Sequence, residues 1–141
     1  MQTLKIKRNL PLAIVVEDEK ALANALSITL SRLGYLVETI QDGREALEQL
    51  KFVAPDLLLL DLNLPHVSGD EILDSINGLP EYKDTRILIA SADRQLASQY
   101  AYMVDQVIEK PFRFQQMQDI ATRYHPARSA SDITELHYAI S

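Results

Sequence analysis

Four polar sites stand where a run of apolar residues stops. Asp61 closes Asp56-Leu57-Leu58-Leu59-Leu60-Asp61, and Glu17-Asp18 follows Leu12-Ala13-Ile14-Val15-Val16. Ser91 follows Ile87-Leu88-Ile89-Ala90, and Lys110 follows Gln106-Val107-Ile108-Glu109. Short aliphatic runs of this kind read as strands buried on both faces. If the first and third strands are neighbours, Glu17, Asp18 and Asp61 crowd together. Like charges at close range disfavour ionisation unless a cation stands among them. Oxygen ligands without His or Cys favour magnesium among the common cations. Lys110 adds a point charge suited to a phosphoryl oxygen, and Ser91 adds a hydroxyl donor. An acid nucleophile, a hard-cation site, a lysine and a hydroxyl form a set for phosphoryl transfer to a carboxylate. Asp61 is the preferred nucleophile because its strand lies at the centre of the sheet.

The elements that must position these groups alternate in type. Leu12–Val16 is the first strand. Glu19–Leu33 repeats Leu22, Leu26, Leu30 and Leu33 on one helical face, and Gly34 sits where a helix-ending glycine belongs. Tyr35–Ile40 is a second strand. Asp42-Gly43-Arg44-Glu45 has the form of a capping box and opens a helix to about Lys51. Asp56–Leu60 is the third strand. Ser68-Gly69-Asp70-Glu71 offers a second capping box before a helix carrying Ile72, Leu73 and Ile76. Thr85–Ala90, a helix over Asp93–Tyr102, the strand Gln106–Glu109 and a helix over Phe112–Tyr124 complete the pattern. In the last helix Phe114, Met117 and Ile120-Ala121 form the apolar stripe. Such alternation implies an α/β fold with parallel strands, right-handed crossovers and helices on both faces. Ligands of such sheets bind outside the carboxyl ends of the strands.

Length and composition fit one domain, with residues 1–10 as a leader, 11–124 as the domain and 125–141 as a tail. Asp132–Ile140 in that tail reads as one more short helix. With 14 Lys and Arg against 20 Asp and Glu the net charge is -6, which opposes nonspecific binding to nucleic acid or an anionic membrane. There are no cysteines, so disulfides, thiolate metal sites and cysteine nucleophiles are excluded. The apolar stretch Leu10–Val16 runs into Glu17-Asp18-Glu19 without a small-residue cleavage site, so it reads as a strand. A cytoplasmic location is expected.

At these residues the chain resembles a receiver domain of a two-component response regulator, of the single-domain, chemotaxis-regulator-like kind. The resemblance runs from about Pro11 to Tyr124. It rests on Val16-Glu17-Asp18-Glu19, Asp61-Leu62-Asn63-Leu64-Pro65 with Gly69, Ile89-Ala90-Ser91-Ala92 and Lys110-Pro111-Phe112, in that order. It implies a flavodoxin-like, doubly wound five-stranded sheet in the order 2-1-3-4-5, with five helices. Asp61 is then the phosphoacceptor, charged by a histidine kinase or a histidine phosphotransfer protein. Asp18 and Asp61 hold Mg2+ directly, Glu17 through water and Asn63 through its backbone carbonyl. Ser91 and Lys110 bind the phosphoryl group. Asn63 and Asp93 tune its lifetime by orienting an attacking water. Pro65 and Gly69 are structural, and the Lys110–Pro111 bond is expected to be cis. A downstream partner, or a second copy, is expected on the face of helix four, strand five and helix five. Tyr100, Tyr102, Phe112 and Arg113 are expected to cluster there.

The chain departs from the family at several places. The acidic pair is Glu-Asp where Asp-Asp is usual, and Ser91 replaces a commoner Thr. Val107 stands where the family often has a switching Tyr or Phe, and a β-branched side chain has little χ1 freedom. Met103-Val104 replaces a small Gly-Ala turn. These departures leave the chemistry intact and put the usual relay in question. Other readings stand beside the main one. Asp18 and Ser91 alone could cap helices, His66 reads as an exposed loop residue, and His125 and His137 fall in the tail. Two rivals follow: a degenerate receiver that binds partners without phosphorylation, and a phosphohydrolase with an aspartyl intermediate. The second lacks the acid its signature needs, because Asn63 lies two residues after Asp61.

Overall fold

The computed structural model describes residues 10–126. The tail helix expected over Asp132–Ile140, the leader before Leu10 and His137 lie outside the described residues. Five strands run parallel: β1 Leu12–Val16, β2 Leu36–Ile40, β3 Leu57–Asp61, β4 Arg86–Ser91 and β5 Gln106–Glu109. Five α-helices alternate with them: α1 Lys20–Arg32, α2 Gly43–Leu50, α3 Gly69–Ile76, α4 Arg94–Tyr100 and α5 Phe114–Arg123. Short 3-10 turns cover Pro80–Tyr82 and Ala101–Met103. The strand order is β2-β1-β3-β4-β5, as the resemblance implied.

Strand alternation sorts the core into two layers. Ile14, Val16, Leu58 and Leu60 face α2, α3 and α4, where Ala46, Leu50, Ile72, Leu73, Ile76 and Ala97 meet them. Ala13, Val15, Leu57 and Leu59 face α1 and α5, where Leu26, Leu30, Met117, Ile120 and Ala121 meet them. Successive side chains of a strand point to opposite faces, so a centre strand with both faces covered must be apolar at every position. Leu57–Leu60 meets that demand, and each fully buried leucine contributes about 2 kcal/mol. The edge strand β2 is mostly exposed.

The helix boundaries show where local signals yield to packing. Gly34, at φ 94°, ends the turn after α1 as expected. Asp42 caps α2, its side chain accepting from the Arg44 N–H at 3.1 Å. Its expected capping-box partner, Glu45, instead accepts from the Gln49 side chain. Ser68 precedes α3 but makes no side-chain cap bond, its hydroxyl donating to Glu71 at 3.4 Å. The helix expected over Asp93–Tyr102 ends at Tyr100 and tightens into the 3-10 turn. The helix expected from Phe112 begins at Phe114.

Phe114 was expected in the inward stripe and is 41% exposed. It starts the first turn of α5, beside Phe112, whose ring it meets edge-on at 6.2 Å. Met117, Ile120 and Ala121 carry the buried part of the stripe.

Gly69 marks the closest approach of α3 to the end of β3. A Cβ there would lie 2.6 Å from Leu62 Cα and also strike the Asp61 carbonyl oxygen, both backbone atoms that cannot rotate aside. Replacing it with alanine must push α3 away from the strand end. We predict that Gly69→Ala lowers stability by about 3 kcal/mol in urea unfolding.

Candidate functional site

Register decides that the four sites meet. Val16 pairs with Leu60, Asp61 with Ala90 and Ser91 with Glu109. The strands therefore stop together: Asp61 and Ser91 close β3 and β4, and Glu17 and Lys110 follow β1 and β5 at the same edge. Glu17 and Asp61 continue the alternation of Ala13, Val15, Leu57 and Leu59, which places both on the α1–α5 side of the sheet. Lys110 follows Ile108 by the same parity and reaches them from β5.

The geometry is tight. Lys110 Nζ donates to Glu17 Oε1 at 2.6 Å and to Asp61 Oδ2 at 3.3 Å. Asp61 Oδ1 accepts from the Asn63 N–H at 3.0 Å, and Glu17 Oε2 accepts from the Glu19 N–H at 3.1 Å. Glu17 and Asp61 are buried, whereas Asp18 is exposed at the mouth. One carboxylate oxygen from each of the three lies within 4.8 Å of the others. Burial raises the Glu17 carboxyl above its ordinary value; the Lys110 and Glu19 hydrogen bonds act against this, and the Asp61 charge acts with it. Burial pulls the Lys110 ammonium down, yet its bonds to Glu17 and its attraction to Asp61 leave it above its ordinary value. The cluster thus carries more negative charge than one ammonium balances. The donor set is all oxygen and partly open to solvent, which fits a hard divalent cation.

Asp18 does not cap α1: Glu19 occupies the N-cap position and makes no side-chain cap bond. Ser91 is buried at the rim of the site. Its hydroxyl accepts from the Asp93 N–H at 3.0 Å and donates to the Asp93 carbonyl at 3.2 Å. Asp93 itself caps α4, accepting from the Leu96 N–H at 3.0 Å. Asn63 and Pro65 lie on the exposed loop after β3, and the Lys110–Pro111 peptide is cis. His66, on the same loop at φ 70°, bonds Asp42 through Nδ1 at 3.0 Å, and that bond lowers the Asp42 carboxyl.

Two surfaces flank the site. A hollow of about 310 Å³ between α4 and β5 is lined by Ser91, Arg94, Ala97, Ser98, Ala101, Val107 and Glu109. Arg94 Nε bonds Glu109 Oε1 across it at 2.8 Å. A groove of about 570 Å³ runs from Lys110 along α1, lined by Ala21, Leu22, Ala25, Ala92, Pro111, Phe112 and Phe114. Sequence reasoning had missed this groove. The signal was present in Ala21 and Ala25, small residues outside the buried stripe of α1, beside Leu22 at its margin.

The expected cluster of Tyr100, Tyr102, Phe112 and Arg113 does not form. Tyr100 belongs to the α2–α4 layer and donates to Asp70 at 3.2 Å, while Phe112 packs in the α1–α5 layer. Tyr102 is 83% exposed. His125, placed in the tail by sequence, is buried against Tyr35.

A doubly wound parallel sheet with an aspartate, two further acids and a lysine at its carboxyl edge defines a class of signalling domain. Residues 13–122 match the response regulator receiver domain profile, and the chain belongs to that family. It is 32% identical over 107 residues to the response regulator MprA of Mycolicibacterium vanbaalenii, covering 74% of this chain and 46% of that one. It is 38% identical over 106 residues to the phosphate regulon transcriptional regulatory protein PhoB of Rhizobium meliloti, covering 73% and 47%. The chain thus spans about half the length of these relatives. Its fold is similar to the Thermotoga maritima response regulator TrrA, solved with Mg2+-BeF, with a TM-score of 0.72 and 27% identity over 82% of this chain and 99% of that one. Among the described residues no helix is long and apolar enough to cross a membrane.

Removing Lys110 leaves Glu17 and Asp61 buried side by side. We predict that Lys110→Met lowers stability by about 3 kcal/mol in metal-free buffer, because a buried pair loses its counter-charge. Added Mg2+ restores part of that loss in urea unfolding, because a second cation then offsets the acids.

Proposed function

We propose that this chain is a phosphorylation switch in which Asp61 accepts a phosphoryl group from the phosphohistidine of a kinase or phosphotransfer protein. The observation that carries this reading is the three-acid cluster with Lys110 bonded to Asp61. An Asp61 oxygen attacks phosphorus as the donor's P–N bond breaks, which leaves an acyl phosphate on the chain and the imidazole on the donor. Lys110 already lies at Asp61 and offsets charge on the transferred oxygens. Asp18, Asp61, Glu17 and the Asn63 carbonyl would hold Mg2+, which would supply positive charge beside the phosphoryl oxygens. Ser91 leaves its local bonds to Asp93 to donate to the phosphoryl group. That movement carries the signal toward the hollow beside Val107, where a valine replaces any aromatic rotor. Asn63 and Asp93 flank the site and orient the water that ends the phosphorylated state.

The apolar groove along α1 opens directly beside Lys110 and suits a helix of the phosphodonor. The downstream protein reads the α4–β5–α5 side, where phosphorylation biases two arrangements. The domain acts as a signalling element that phosphorylates and dephosphorylates itself, not as an enzyme of free substrates. A second reading, a phosphorylation-independent binding module, is favoured by Val107 and by the local engagement of the Ser91 hydroxyl.

Intact mass after incubation with Mg2+ and a small phosphodonor separates these readings. We expect one added phosphoryl group on the wild type, and none on Asp61→Asn or after chelation of the metal. No gain on the wild type, with no Mg2+ binding, establishes the binding module. Ala25→Glu is expected to slow transfer from a phosphohistidine protein and leave the small donor unaffected. Asn63→Ala and Asp93→Ala are expected to lengthen the phosphoryl half-life; unchanged decay removes their tuning role.

A further inference from the structure

The turn after α5 holds a buried histidine far from the acidic cluster in the sheet. His125 is 1% exposed. Its ring meets Tyr35 edge-on with centroids 4.8 Å apart, and its backbone N–H donates to the Thr122 carbonyl at 3.2 Å. Tyr35 is 2% exposed, and its hydroxyl donates to the Ala121 carbonyl at 2.9 Å. The two rings therefore fasten the last turn of α5 to the α1–β2 connection from both sides. A tyrosine reaches from the connection to the helix backbone, and a histidine reaches from the helix end back to the tyrosine.

The surroundings of the imidazole favour its neutral form. Burial lowers its proton affinity, while a backbone bond to Gly34 and the Asp56 charge act against that lowering. Asp56, at the entrance to β3, is itself engaged by the Leu12 N–H at 2.8 Å. Burial holds the Tyr35 hydroxyl well above its ordinary value, so it stays protonated. Just past α5, Tyr124 donates to the Asp105 carbonyl at 3.2 Å, with Arg86 over its ring. A charged imidazolium placed among these groups costs desolvation that a single engaged carboxylate only partly offsets.

We propose that His125 is a proton-operated latch on the end of α5. Neutral, it holds the helix end and the chain leaving at Pro126 against Tyr35 and Gly34; protonated, it leaves that site and the helix end opens. The open form binds the proton more readily than the closed form. The latch is therefore fully favoured above the ordinary histidine value of about 6.5 and loses hold as the pH falls below it. Opening is local, and the sheet and the acidic cluster stay formed. The proposal does not depend on phosphorylation of Asp61.

Hydrogen exchange on the full chain tests it, read at about pH 7.5 and about pH 5.5, either side of the ordinary histidine value, with intrinsic rates corrected. We expect exchange over residues 121–125 to accelerate by up to about tenfold per pH unit on acidification, with β1 and β3 unchanged. His125→Phe keeps a ring edge against Tyr35 and cannot take a proton, so its exchange there should not respond to pH. Equal protection of the wild type at both values overturns the latch, as does acceleration that persists in His125→Phe. If that variant does not fold, the His125 ring titration followed by NMR in the wild type decides. A midpoint below 6.5 that tracks the opening supports the latch. A midpoint at or above it, or one separate from the opening, overturns it.

Discussion

Glu17 and Asp61 sit at the ends of neighbouring strands, on the same face and almost out of contact with water, and Lys110 bonds both. Two carboxylates that close cannot ionise freely without positive charge beside them. One ammonium offsets part of the repulsion, and Asp18 at the mouth adds a third acid. The cluster is therefore short of positive charge by construction. Under the proposed function a hard cation would relieve that imbalance, and an incoming phosphoryl group would add to the negative charge that Lys110 faces. The same shortage makes the site responsive, because whatever binds there changes which groups Lys110 must serve.

The remaining structure holds this imbalance in place. β3 is buried at every position, so Asp61 is carried on a segment held from both faces. Gly69 lets α3 approach the backbone of Asp61 and Leu62, and its N–H donates to the Leu62 carbonyl at 3.0 Å. The Asn63 N–H donates to Asp61 itself. The acid cluster is thus held by backbone contacts that do not depend on side-chain rotamers.

The glutamate at position 17 gives this site a character of its own. Its extra methylene lets one oxygen reach Lys110 while the other accepts from the Glu19 N–H. On the other flank, Val107 and the small residues Ala97, Ser98 and Ala101 leave a hollow whose lining contains no aromatic ring. The exposed Arg94–Glu109 pair spans that hollow at 2.8 Å.

Much of this was legible in the order of residues. Apolar runs of strand length placed β1, β3, β4 and β5, and the polar residue at the end of each named the site. Helical spacing of Leu26 and Leu30 marked the inward face of α1. Those signals are local: a strand buried on both faces must be apolar throughout, and a ligand edge must be polar where the strand ends. Tertiary structure alone decided what depends on distance between segments. It turned Phe114 outward at the start of α5, parted Tyr100 from Phe112 across the sheet and turned the Ser91 hydroxyl toward Asp93. It also buried His125 against Tyr35, residues separated by most of the chain. Sequence states which groups exist and which face each occupies along its own element. Only packing of one element on another determines what each group meets, because burial and charge pairing are properties of the space between elements.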